Sequence, residues 1–443
     1  MVTSVIGKIF LEAYNARYGT SYSAEQFFKK EFYPLFYDHQ KYMMSAGNSP
    51  LENPKITWNS MVLGKCDYES PERRKERYDL LLKKINTGIP DASYAIGYPS
   101  FDVSATTSGQ VSNIFSENSI EDIYLSWIGA ALGVGVEGGW SIFFYEANIL
   151  LDICEGWNIY RFFLNNTKVL KGNQITTWNG QWLVHRYSKL YCRDNPLANI
   201  DNQIFSKCKA NKWIGCIEFS LQTWVKILIS ISTYYPSSKL MSYVYSFGTT
   251  NTTIGFIPLD LSQISRPIQL YKKFFGMDSG HKAEKLWGTA IGFAKACQQG
   301  LIGLRAMEPK GLRDYIEKGK MPKLSDKEEQ IISFNVYQIW IMAMLNNQDL
   351  WDKAHEFASE LYRYSSNGTR AKTVNVNKVN RLLESTNKMN FMKSMVEIIE
   401  DAECIENMKN IAFIINNMPT DNVPYFLTLI RFHYATFNNS KKK

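Results

Sequence analysis

The sequence predicts an α+β protein, with a mixed N-terminal region of short strands and helices and a C-terminal antiparallel helical bundle. Three observations lead there. Apolar residues recur at helical spacing from Met1 to about Thr57. Between residues 91 and 279, short β-leaning pieces rich in Gly, Thr and aromatics alternate with apolar helical runs. From about Gly280 helical stripes follow one another almost to the end, and short connections between such helices imply antiparallel packing. The expected domains are residues 1–90, 91–279 and 280–443.

In the first region Ile6, Ile9, Phe10 and Tyr14 form one stripe, and Phe27, Phe28, Phe32, Leu35 and Phe36 form an aromatic one that is expected in the core. Pro34 and the run NSPLENP are expected breaks. Ser70 then caps a helix that has Pro71 in its first turn and Leu80–Leu82 as its anchor. Its basic cluster includes Arg73 and Arg74 and reads as either a solvated face or a phosphate contact. Thr106–Gly109 lacks the Walker pattern and reads as a surface loop.

The densest stretch is Ile123–Trp182. Ile123–Tyr145 is long enough to span a bilayer, but Glu137 and several glycines favour a buried strand or hairpin with a tight glycine turn. Ile149, Leu150, Ile153, Trp157, Tyr160 and Phe163 form the next helix stripe. Gln174–Trp182 has β-formers around Asn179-Gly180 and is expected to be a hairpin. Lys171, Asn173, Gln174, Asn179 and Gln181 would then surround an exposed turn, where amides can read base edges and lysine can meet phosphate, or can satisfy the turn's own backbone. A second polar loop, Phe247–Pro258, offers Thr249, Asn251 and Thr252 between glycines, followed by Ile254 and Phe256, which could wedge between bases.

In the last region Leu286, Ala290, Phe293, Ala294, Cys297 and Leu301 are expected on one helix, with Gly288 and Gly292 allowing close packing. Ser325 and Glu328 suggest a capping box for a helix with Phe334, Tyr337, Ile341 and Met344 on one side. Further stripes follow at Leu350–Leu361, Phe391–Ile399, Met408–Ile415 and Phe426–Ile430. Asn367–Arg381, with Arg370 and Lys372, reads equally as a mobile basic linker and as a nucleic-acid contact.

Composition bounds the function. At 443 residues, 45% hydrophobic and 21% charged, the chain suits a soluble globular protein that buries its own cores. Its 14% aromatic content supplies rings for the core or for stacking on unpaired bases, and a net charge of +8 favours a polyanionic partner. Seven scattered cysteines, an odd number without a CxxC pair, imply no disulfide framework. The loose group Cys192, Cys208, Cys216 and His185 fits no zinc spacing. No HExxH, GxSxG, Walker or GxGxxG pattern occurs, so the reading assigns no catalytic residue, cofactor or metal. The N-terminus lacks a signal-peptide pattern, and a cytoplasmic protein without a membrane partner is expected.

This layout of a mixed N-terminal region, polar loops, modest positive charge and a helical block, best seen from about Lys285 to Phe437, resembles the large subunit of type I CRISPR effector complexes (Cascade). The resemblance implies a non-catalytic antiviral-defence subunit that contacts guide RNA, recognises the motif flanking target DNA and assembles with other subunits. It carries no residue-level motif. Two alternatives remain open: a metal-dependent nuclease using acids among Glu137, Asp152, Glu155 and Glu218, and a protein-interaction scaffold.

Overall fold

A computed structural model describes residues 1–47, 49–52, 55–87, 119–200, 204–207, 215–236, 239–246, 252–276, 286–288, 290–366, 372–400 and 405–440. It is an α+β fold, dominated by helices, that divides into two compact units, Met1–Leu259 and Asp260–Lys443. The expected loop at Thr106–Gly109 lies outside the described residues.

The first unit is built on a helix crossing. Helix α1 (Val2–Tyr18) packs on α6 (Ile120–Ala130), and glycines make the approach possible. A Cβ on Gly7 would lie 2.1 Å from the Leu125 carbonyl oxygen, and one on Gly129 would lie 1.8 Å from that of Thr3. Helix α6 starts at a capping box that the sequence reading passed over: Ser119 accepts from the Asp122 N–H while the Asp122 carboxylate accepts from Ser119. The first half of the expected buried strand is therefore helix. The expected hairpin begins after it, as β1 (Val134–Val136) and β2 (Trp140–Phe144) joined through Gly138 and Gly139, both at positive φ. No helix among the described residues is long and apolar enough to cross a membrane.

Between them, α2 (Ala24–Phe27), a π-helical turn (Phe28–Phe32) and α3 (Tyr33–Phe36) form one run with Phe27, Phe28, Phe32 and Phe36 buried. Pro34 does not break it. The wide turn, in which Tyr33 N–H donates to Phe28 O, takes up the register where proline lacks a donor. After α4 (Lys55–Val62), α5 (Pro71–Thr87) begins as expected, with Ser70 Oγ accepting from Arg73 N–H.

Helix α7 (Ala147–Asn166) is tied to this run by two buried cations. Arg161 donates to the carbonyls of Leu35, Phe36 and Lys41, and Lys41 donates to those of Leu164, Thr167 and Lys168 at the end of α7. Burial, with the neighbouring Arg161 charge, lowers Lys41 to about 8. Helices α8 (Ile175–Arg186) and α9 (Trp224–Tyr234), a small pair β3 (Phe205–Lys207) and β4 (Ile217–Phe219), and strands β5 (Lys239–Ser246) and β6 (Thr252–Asp260) complete the unit. The main sheet is antiparallel, in the order β1-β2-β5-β6, with Phe143 opposite Tyr243.

In the second unit, helices α10 (Leu261–Phe275), α13 (Glu328–Leu345), α14 (Asp349–Ser366), α15 (Lys372–Leu383), α16 (Lys388–Ile399), α17 (Ile405–Asn417) and α18 (Val423–Ser440) pack on one another. The expected stripes of α14, α16, α17 and α18 face inward, with Phe357, Leu361, Phe391, Met408 and Phe426 buried. Three details differ from expectation. Only Phe293–Gln298 (α11) is helical in the stretch expected as one helix from Leu286 to Leu301, since Gly288 and Gly300 turn the chain at positive φ; Gly292 has open space where a neighbour was expected. Helix α13 is capped at Lys327 and not through Ser325 and Glu328. Its first turn, from Glu328, is exposed, but its second half is buried on all sides, with Val336, Ile339, Trp340 and Ile341 inaccessible. Between α11 and α13 lie a 3-10 turn (Leu304–Met307) and α12 (Leu312–Glu317). Arg431 is fully buried and donates to carbonyls of Tyr315, Leu383 and Ser385, so it repeats the device of Arg161.

Two predictions follow from the packing. Gly129→Ala should force α1 and α6 apart and lower the stability of the first unit by about 1–3 kcal/mol, read as a lower denaturation midpoint. His433 is buried 5.3 Å from the His355 ring; burial first, then His355, lowers it to about 3. The unfolded chain binds that proton near pH 6.5, so stability should fall as the pH drops from 6.5 towards about 3. His433→Leu should flatten that limb in denaturant titrations between pH 6.5 and 4, and an unchanged slope would refute the assignment.

Candidate nucleic-acid interface

The expected base-reading turn is not a turn. Residues Ile175–Arg186 form α8, with Asn179 and Gly180 inside it. Asn179 is 0% exposed and donates 2.8 Å hydrogen bonds to the carbonyls of Ala131 and Gly133, where α6 ends. Gly180 brings the helix against the Gly135 carbonyl, leaving 3.0 Å for a Cβ. Trp178 Nε1 donates to Gly156 O, and Trp182 Nε1 donates to Asp152 O on α7, while Gly156 makes room for the Trp182 indole. Each contact satisfies a buried polar group, and together they override the hairpin preference of Asn-Gly.

The neighbouring amides are used in the same way. Gln181 is buried, donates to Ser220 and accepts from Gln222. Gln174 accepts from the Phe219 N–H. Asn173 sits at φ 59, and its N–H donates to Tyr42 O. Lys171 is half-exposed, with Glu218 at 3.6 Å. The Gln174, Asn179 and Gln181 side chains pin α8 to the rest of the unit and are withdrawn as base readers, while Lys171 stays at the surface.

The basic candidates divide. Arg73 is exposed and meets Glu76 at 3.1 Å. Arg74 is largely covered, donating to Glu69 O with Asp38 at 3.6 Å, and Arg77 pairs with Glu69 at 2.9 Å. Thr249, Asn251 and Arg370 lie outside the described residues. Thr252 opens β6, so the expected loop from there to Pro258 is strand, paired with β5. Lys372 opens α15, so the expected basic linker is helix from that point.

Two of the acids proposed for a nuclease, Asp152 and Glu155, are committed to one network. Asp152 is buried; Arg186 donates to its Oδ1 at 3.1 Å and Tyr187 to its Oδ2 at 2.7 Å. Glu155 accepts from Arg186 and Arg17 at 3.0 and 3.3 Å. Burial raises the Asp152 pKa, opposed by the Tyr187 hydrogen bond and Arg186. Glu137 is exposed at the β1–β2 turn. Among the described residues, no group of three or more His, Cys, Asp and Glu could hold a metal ion. Cys192 is exposed, Cys216 is buried, and His185 Nε2 meets Pro196 O at 2.9 Å.

What the strands place on the surface is aromatic. Residues alternate along β5, so Met241 and Tyr243 point away from Leu240, Ser242 and Val244, which are buried. By register, Tyr145 and Phe143 share their face, since Phe143 lies opposite Tyr243 and Tyr145 N–H donates to Met241 O. Phe256 of β6 meets Tyr243 edge-on, with centroids 5.1 Å apart. Phe256 is 64% exposed, Tyr145 55% and Met241 43%, while Phe143 is covered. The face is therefore closed over β2 and opens across β5 and β6, with Lys239 exposed at the start of β5. Of these residues the sequence reading singled out only Phe256; strand alternation is the signal that would have joined it to Tyr243 and Met241. Exposed rings on a sheet face can stack on unpaired bases or seat an apolar partner.

Asn179→Leu should orphan two buried carbonyls and cost about 1–3 kcal/mol of stability, while leaving oligonucleotide affinity unchanged below its melting temperature. A selective loss of affinity at full stability would return Asn179 to the interface. Comparison with known proteins adds no neighbour: no protein family, curated protein or solved structure matches the chain at a significant level.

Proposed function

We propose that this protein is a non-catalytic nucleic-acid-binding subunit that engages an unpaired strand on the open face of β5 and β6. The carrying observation is the strip of Tyr145, Met241 and Phe256, exposed around the partly covered Tyr243 on the sheet. Burying such rings against water-exposed bases is favourable for any base, because every base has a stacking face. The net charge of +8 adds a sequence-independent attraction to phosphates. In the assembly suggested by the resemblance to Cascade large subunits, the strands would be guide RNA and target DNA, and the other subunits would complete the recognition of the flanking motif.

The test is binding of labelled single-stranded DNA, RNA and duplex DNA across a salt series, with and without magnesium. Salt-dependent binding without cleavage is expected. Phe256→Ala and Tyr243→Ala should each weaken single-strand binding by about 1–3 kcal/mol, the value of one stacked base, with little effect on stability. Unchanged affinity in both variants would remove this face from the interface. Magnesium-dependent cleavage would replace the proposal with a nuclease. Salt-insensitive capture of a protein partner without nucleic-acid binding would make the strip a scaffold surface.

A further inference from the structure

Helix α16 carries more apolar surface than the bundle covers. Phe391, Met395 and Ile398 are buried and form its inner stripe. Beside it runs a second stripe, Met389, Met392, Val396 and Ile399, in which neighbours are three or four positions apart. Met389 is 63% exposed and Val396 57%, while Met392 and Ile399 are half-buried where the second stripe borders the first. Alternating steps of three and four make a helix seam, a shape that fits the side of another helix.

Charge borders this seam on its outer side. Lys393 follows Met392 and Glu400 follows Ile399, so the two lie two turns apart along one edge. Both are exposed, and neither meets an opposite charge among the described residues. The edge is therefore basic in the middle of α16 and acidic at its end. Two such edges laid parallel would set lysine against lysine and carboxylate against carboxylate. Laid antiparallel, each lysine finds a carboxylate, and the helix dipoles also oppose one another.

We propose that the uncovered side of α16 is where two copies of this chain associate, helix against helix and antiparallel about a two-fold axis near Val396. In that crossing Val396 meets its own counterpart. Met392 packs on Ile399 of the second copy, and Lys393 lies beside Glu400 of the second copy, with both contacts repeated by the symmetry. The seam is self-complementary in shape and in charge, which is what a two-fold interface requires. Few side chains take part, so the contact belongs to the small, transient class, and the dimer exchanges with free chains. It shares no residue with the β5–β6 face and needs no nucleic acid.

The test is sedimentation equilibrium of the full chain without nucleic acid, from about 1 μM to 1 mM. A monomer–dimer equilibrium is expected. Val396→Asp sets two carboxylates together at the axis and should abolish the dimer; the position is exposed, so the melting temperature should be kept. Lys393→Glu or Glu400→Lys alone brings like charges together and should raise the dimer dissociation constant about tenfold. The double reversal, Lys393→Glu with Glu400→Lys, should restore the original value, a recovery that only antiparallel self-pairing explains. Phe256→Ala should leave the equilibrium unchanged. A chain that stays monomeric at about 1 mM would overturn the proposal and leave the seam to a different protein. A dimer that survives Val396→Asp, or a double reversal that does not recover association, would overturn it as well.

Discussion

Both units depend on a buried cation held chiefly by backbone carbonyls, joined at Arg431 by the Thr428 hydroxyl. Arg161 and Lys41 act reciprocally: the first, on α7, closes the end of α3, and the second, in the turn after α3, closes the end of α7. Arg431 does the same for the end of α15. A helix end leaves carbonyls without partners and carries partial negative charge, so a guanidinium or ammonium there answers both needs. Burying a charge without a carboxylate is expensive, and burial lowers both Arg161 and Arg431 to about 10. The expense is tolerated only where several carbonyls converge, which locks the geometry of the elements that supply them.

That constraint shapes what remains for function. Arg161 and Lys41 hold the α2–α3 run against α7. The Arg161 charge also reinforces burial in keeping His39 neutral. On the other side of α7, Asp152 and Glu155 are drawn into a network with Arg186, Arg17 and Tyr187, so acids that could have served chemistry serve cohesion. Among the described residues, the sheet face keeps Phe256, Tyr145 and Met241 exposed to solvent.

The cost of a misplaced amide is instructive. Asn179 and Gln181 carry the donors and acceptors that base recognition uses, but the same chemistry suits a backbone carbonyl at a helix end. Burial decides between these roles, since an inaccessible amide can reach only its own chain. The exposed aromatic strip shows the converse. Phe256 looks like a core residue by composition, yet on the edge strand β6 it is open to solvent.

Periodicity and capping chemistry by themselves determined the helices α1, α5, α7, α14, α16, α17 and α18 and the glycine turn of β1–β2, because each depends on contacts within a few residues. Ser70 and the stripe from Leu350 to Leu361 are examples. Tertiary structure alone decided α8, the burial on all sides of the second half of α13 and the loss of the base-reading turn. Asn179-Gly180 favours a hairpin locally, and only the unfilled carbonyls of Ala131 and Gly133 and the close approach to Gly135 make it a helix. Such partners lie more than forty positions away along the chain, beyond any local pattern, so the fold class was legible from sequence while the site was set by which polar groups the fold had already consumed.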